Sequence, residues 1–166
     1  MTSVADALAR YRREPTLLEE RGRTPFKLVS TVDAASEPGE IDTAWAGREV
    51  PIDAADFWAT SRGARLFDDV EYGQWGLHLL SPSASAARTD QEREERPSEF
   101  APDDVVLGEF LGDQELLVLA PSEEGQRRIL VALPLDGRTD WFAVASDLSE
   151  FLERYFDRYG EKYWEP

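Results

Sequence analysis

Cysteine is absent from the 166-residue chain. Disulfides, thiolate nucleophiles and cysteine-based metal sites are thereby excluded together, and the composition suits a reducing compartment. Lysine is nearly as scarce: of 18 basic residues only Lys27 and Lys162 are lysine, an arginine bias of the kind that high-GC bacterial coding produces. His78 is the one histidine. The N-terminal MTSVADALARYRREP is charged and holds no signal-peptide core, and no apolar run reaches bilayer-spanning length, so the expected address is cytoplasmic with no membrane contact. Walker A, Gly-x-Gly-x-x-Gly, Gly-x-Ser-x-Gly and His-Glu-x-x-His patterns are also missing. Neither catalysis nor a bound cofactor or metal is therefore expected.

Acid is what the chain has in excess. The net charge is −16, and residues 1–30 hold six basic and four acidic side chains, so the remainder sums to −18. Such a field repels nucleic-acid backbones and anionic membranes and speeds encounter with a basic protein; its ordinary alternative role is to keep the chain soluble. Hydrophobic residues make up 42% and aromatics 11%, with Trp45, Trp58, Trp75 and Trp141 expected in a core. The length fits one domain over residues 1–166.

Several elements follow from spacing. Ser3 caps a helix whose Val4, Ala7, Leu8 and Tyr11 share a face and which Pro15 stops. Residues 26–32 read as a strand, and Ile41, Ala44 and Trp45 line a helical turn that ends at Gly47. Pro51 and an N-cap at Asp53 begin a helix anchored by Phe57 and Trp58. Leu66-Phe67 and residues 72–80 are expected strands, Gly73 and Gly76 marking a bulge or close approach. Ser81-Pro82 opens a helix so polar that a solvated or partly mobile surface element is expected. Residues 105–110 and 114–119 form a hairpin across Leu111-Gly112-Asp113, a strand over 128–133 follows the Glu123-Glu124-Gly125 turn, and Asp147 with Glu150 starts a final amphipathic helix that Gly160 ends.

Three segments carry a family likeness: Val50-Pro51-Ile52-Asp53 through Phe57-Trp58 to Gly63; Val106-Leu107-Gly108 through Gly112-Asp113 to Leu119; and Val144-Ala145-Ser146-Asp147-Leu148-Ser149-Glu150-Phe151-Leu152. In order and spacing they resemble the SUKH superfamily, the Smi/Knr-type domain of bacterial toxin-immunity proteins. The likeness runs from about Ile41 to Tyr159. Residues 1–40 stand as an extension, 41–160 as the family core and 161–166 as a tail. The departures are Val50 for the usual Leu and Arg62 for the usual Asn. The resemblance implies an α+β domain with a mainly antiparallel sheet flanked by helices, no enzymatic activity, and binding of a cognate toxin.

Charge and turn placement then nominate partner-binding residues: Asp68, Asp69, Glu71, Tyr72, Asp103, Asp104, Asp113, Glu115, Glu123, Glu124 and Trp164. Residues 90–124 alone carry twelve carboxylates against Arg93 and Arg96, a surface suited to a basic toxin if it is not simply solvated. Trp164 either anchors a partner or folds back on the domain. The expected partner is a basic protein toxin and the expected state a monomer or weak homodimer. A regulatory scaffold of the same fold and a small hydrolase using His78 are the alternatives.

Overall fold

The computed structural model describes residues 2–17, 27–121 and 127–166. Its first helix, α1 (Val4–Arg13), forms where the apolar spacing places it: Ser3 Oγ accepts the Asp6 N–H, and Val4, Ala7, Leu8 and Tyr11 are buried. The Tyr11 hydroxyl donates to the Leu152 carbonyl at 2.6 Å, which ties α1 to the C-terminal helix. Strands β1 (Thr16–Leu17), β2 (Leu28–Val32), β3 (Ala64–Asp69), β4 (Leu77–Leu79), β5 (Val105–Phe110), β6 (Leu116–Pro121), β7 (Arg127–Ala132) and β8 (Phe142–Ala145) pair in chain order. Every pairing is antiparallel, so the eight strands form one meander. Helices α2 (Glu40–Ala44), α3 (Ile52–Thr60), α4 (Pro82–Glu95) and α5 (Leu148–Asp157) complete an α+β fold, as the sequence predicts.

Strand alternation sends apolar residues to both faces of this sheet. Leu117, Leu119, Ile129 and Val131 pack with the apolar faces of α1, α3 and α5, while Leu116, Val118, Leu130 and Ala132 pack with Phe100 and Trp141. Two covered faces explain why β6 and β7 read as continuous apolar runs. One residue breaks the alternation: Phe67 has φ 50°, and this turn of the backbone brings Leu66 and Phe67 into the same cluster. Ser30 Oγ accepts the Phe67 N–H at 3.0 Å and holds the irregularity. Gly160 packs on that ring, where a Cβ would lie 2.5 Å from Phe67 Cγ. The left-handed φ of 78° gives a second reason for glycine at the end of α5.

The structure corrects several expectations. Residues 72–80 are strand only over Leu77–Leu79; residues 70–76 form a turn in which Gly76 lets the backbone close against Asp68. Pro51, not Asp53, holds the cap position of α3, and Asp53 falls in the first turn. The strand β8 was hidden beside the closing-helix pattern because its four residues bury only Val144 fully. The expected turn over 123–125 and the start of the strand expected from Phe26 lie outside the described residues.

The largest correction concerns α4. Its mean character is polar, but Ser85, Thr89 and Glu92 are buried rather than solvated. The cause lies in the sheet. β4 pairs with only residues 108–110 of β5, so the outward backbone groups of Val106 meet no strand. Helix α4 fills that place. Ser85 Oγ donates to the Val106 carbonyl at 2.6 Å, Thr89 Oγ1 accepts the Val106 N–H at 2.9 Å, and Arg93 Nη2 donates to the Asp104 carbonyl at 2.8 Å. Spaced four apart, the three side chains share one helix face and substitute for a missing strand. A buried backbone group left unpaired costs about 1–3 kcal/mol. Ser85→Ala and Thr89→Val are accordingly expected to lower unfolding free energy by about that much each, read by urea denaturation, whereas exposed Gln91→Ala stays within about 0.5 kcal/mol of the parent.

Candidate functional site

Four of the carboxylates nominated from sequence are used inside the fold. Asp69 sits at the end of β3, buried, and accepts the N–H groups of Glu71 (3.2 Å), Tyr72 (3.0 Å) and Gln74 (3.1 Å). Its neighbour Asp68 takes His78 Nε2 at 3.1 Å. Asp104 is fully buried, accepting the Ala101 N–H at 2.8 Å and gripping the Arg138 guanidinium with both oxygens. Glu115 is buried against the Lys162 ammonium. An uncompensated charge at any of these depths is prohibitive, so each acid found an internal donor and is withdrawn from the surface.

What those acids hold in place is exposed. The turn after β3 presents Val70 and Tyr72, 60% and 67% exposed, with Glu71 between them. The turn after β5 abuts it: Leu111 N–H donates to the Gly76 carbonyl at 2.9 Å. Trp75 Nε1 donates to the Gly160 carbonyl at 3.0 Å and brings in the C-terminal tail with the partly exposed Tyr159. Lys162 then bonds Asp113 Oδ2 at 2.6 Å as well as Glu115, and Glu165 lies close to both acids. One end of the sheet thus gathers Glu71, Tyr72, Asp113 and Glu165 on two braced turns and a clamped tail. Trp164 is folded back, stacked on Tyr155 with ring centroids 6.5 Å apart and 5.5 Å from the Phe110 ring.

The other nominated acids do not join them. Asp103 is exposed at the start of β5, the opposite end of that strand, and Glu123 and Glu124 lie outside the described residues. Beside Asp103 opens a cavity of about 490 Å³. Trp45, Val105, Leu119 and Ala120 give it a buried apolar floor; Arg48, Arg93 and Arg127 enter from α2's trailing turn, α4 and β7; Glu49 and Asp103 stand exposed at its rim. Arg48 is paired with Asp90 at 2.6 and 3.1 Å and lies 4.8 Å over the Trp45 ring. Arg93 Nε and Arg127 Nη1 are buried with no hydrogen-bond partner among the described residues. Burial pushes the Asp53 carboxyl above its ordinary value, the Asp147 charge adds to the push, and the Arg127 charge opposes it.

His78 alternates with buried Leu77 and Leu79, as expected of a strand histidine, and stands in register with Arg65 and Glu109. Among the described residues, Asp113, Glu115 and Glu165 are the acids close enough to share a metal ion, and the Lys162 ammonium already supplies a cation between two of them. Sequence reasoning passed over Lys162 and the cavity arginines. Lys162 is the one lysine of the second half of the chain, a signal in hindsight, whereas the arginines converge only through tertiary structure. No family model and no curated protein matches this chain.

The tail clamp has a pH signature. Burial pulls the Lys162 ammonium down, but the hydrogen bonds it donates to Asp113 and Glu115 and their charges outweigh this, and the net shift is upward from 10.5. Burial likewise pushes the Tyr163 hydroxyl, which donates to the Val144 carbonyl at 2.8 Å, up to about 12. A group whose folded value is raised stabilises the fold fully below its unfolded value and loses that contribution as pH climbs through the folded one. The tail is therefore expected to detach between roughly pH 10 and 12, seen as a change in Trp164 fluorescence while far-UV circular dichroism holds. Lys162→Met strands a buried Glu115 and is expected to cost about 3–5 kcal/mol, with Glu115→Gln added to it restoring part of the loss in a double-mutant cycle.

Proposed function

We propose that this protein is a non-catalytic binding domain that captures a basic protein at the end of its sheet where the β3–β4 turn, the β5–β6 turn and the C-terminal tail meet. The supporting observation is the turn on Asp69. Three backbone N–H groups converge on one buried carboxylate, so the backbone of Glu71 and Tyr72 is held in a fixed arrangement before any partner arrives. Preorganisation of this kind lowers the entropy lost on association, and tyrosine is among the residues that dominate interface energetics. Around it stand Glu71, Asp113 and Glu165, on a chain of net charge −16. Carboxylates steer a cationic protein inward and an aromatic anchor slows its departure.

The resemblance to SUKH immunity proteins gives the partner its identity in this reading: a bacterial protein toxin, bound and neutralised in the cytoplasm. The neighbouring reading frame is the place to look for it. Co-expression with that gene product should rescue growth and yield a stable complex. Tyr72→Ala should weaken the complex by about 2 kcal/mol or more, some thirtyfold in Kd, chiefly through faster dissociation. Raising salt from low to physiological ionic strength should slow association with little change in the off-rate. A complex that forms at unchanged rate across ionic strength, or that tolerates Tyr72→Ala together with Glu71→Gln, places the contact elsewhere and overturns the assignment.

A further inference from the structure

The end of the sheet assigned to protein capture is also where unusual backbone conformations gather. Among the described residues, three that carry a Cβ have a left-handed φ: Phe67 at 50°, Gln114 at 60° and Tyr159 at 56°. They belong to three segments, the end of β3, the β5–β6 turn and the residues after α5, and the three segments meet here. Gly160 joins the last to the first: a Cβ on it would run into the Phe67 ring, its carbonyl accepts Trp75 Nε1 at 3.0 Å, and the Trp75 carbonyl in turn accepts the Asp69 N–H at 3.0 Å. Such conformations are costly for a residue with a side chain. They persist where surrounding contacts enforce them, and they cluster at functional sites.

Exposed apolar side chains gather at the same end. Of the five large hydrophobic side chains that the described residues leave exposed, Val70 and Tyr72 lie on the β3–β4 turn and Tyr159 lies beside Gly160. Scattered singly, exposed apolar groups need no explanation; three drawn from two segments that are bonded to each other do. Val70 has nothing to offer a cation, so attraction between charges leaves its exposure unexplained. Acid surrounds these side chains: Glu71 stands exposed between Val70 and Tyr72, and the single Lys162 ammonium is set against the three carboxylates of Asp113, Glu115 and Glu165. A complement to both features is apolar at its centre and basic at its flanks. We propose that the occupant of this surface is an amphipathic basic segment of the partner protein, an apolar side chain of which covers Val70, Tyr72 and Tyr159 while flanking arginines or lysines face Glu71, Asp113 and Glu165. The proposal rests on the protein-capture reading and deepens it: the carboxylates set the rate of encounter, and the apolar contact sets how long the complex lasts.

Three hexapeptides separate the contributions: acetyl-Lys-Lys-Leu-Leu-Lys-Lys-amide, its equally charged counterpart with serines in place of the leucines, and acetyl-Ser-Ser-Leu-Leu-Ser-Ser-amide. Each is titrated into the full chain at fixed ionic strength, and binding is read from the backbone amide resonances of Glu71, Tyr72, Gln74 and Tyr159. The peptide with both leucine and lysine is expected to shift these resonances saturably and to bind at least about tenfold more tightly than the serine counterpart, the ratio expected for one well-covered apolar side chain. The uncharged peptide is expected to bind most weakly. Val70→Thr combined with Tyr159→Asn, which keeps the shape at one position and suits the left-handed backbone at the other, should bring the two lysine peptides to within about threefold of each other. Glu71→Gln should weaken both lysine peptides alike and leave their ratio unchanged. Equal affinity of the wild type for the two lysine peptides, with Glu71→Gln weakening both, overturns the amphipathic occupant and leaves capture of a basic protein standing. A preference for leucine that persists in the Val70, Tyr159 double variant likewise overturns it. If no peptide moves these resonances, the surface is not a binding site and both readings fall.

Discussion

Strand β4 contributes three residues where β5 contributes six, so part of the β5 edge faces a gap that no strand fills. Hydrogen bonding must be completed there, because buried backbone groups in a folded protein are nearly always paired. The chain turns at Ser81-Pro82 and lays α4 along the gap, using hydroxyl, hydroxyl and guanidinium at positions four apart. Much else follows. With α4 fixed, Arg93 is carried to the cavity wall, Glu92 is buried against Arg88, and Arg48 from the segment after α2 reaches Asp90. The segment after α4 is pinned across the second face of the sheet by Arg96, which donates to the Leu133 carbonyl at 3.1 Å and the Asp136 carbonyl at 2.8 Å.

The same constraint explains where sequence reading succeeded and where it failed. Helices α1 and α5 were legible because their caps and apolar stripes are local: Ser3 with Asp6, and Asp147 with Glu150, lie within one turn of each other. The hairpin from β5 to β6 was legible for a like reason, since Gly112 and Gln114 adopt left-handed conformations in a connection only a few residues long. Helix α4 was misread because its buried face is polar, and a hydroxyl aimed at a sheet edge looks in sequence like one aimed at water. Periodicity detects apolar burial. It has no means of registering polar burial whose partner lies 17 or 21 residues away.

Carboxylates posed the same difficulty. Asp68, Asp69, Asp104 and Glu115 were counted with the exposed acids because net charge treats all acids alike, yet each is enclosed with its own donor. Asp103 and Asp104 make the point within one dipeptide. The first remains exposed at the rim of a cavity; the second is fully buried and joins the Ala101 N–H to Arg138, and no local feature separates them. Only the position of Arg138, brought back by the connection from β7 to β8, decides which acid is structural. Glu71 and Asp113 kept their expected exposure because they sit on turn tips, where the backbone itself points outward.

Internal pairing also changes what the excess charge does. Acids that hold turns and tails in place do not add to a surface field as exposed acids do, but they fix the geometry of those that remain outside. Asp69 is the clearest case: it removes itself from the surface and in doing so orients Glu71 and Tyr72. Lys162 does the converse, bridging Glu115 within and Asp113 at the edge, with one positive charge against two negative ones, while drawing Glu165 and the aromatic tail against the turns. Rigidity and charge are thus built by the same residues at one end of β5. At the other end Arg93 is bound to the Asp104 carbonyl and Arg127 faces the Asp53 charge, and one buried nitrogen of each has no hydrogen-bond partner among the described residues. Under the proposed reading, this arrangement attracts a cationic protein surface to the braced turns.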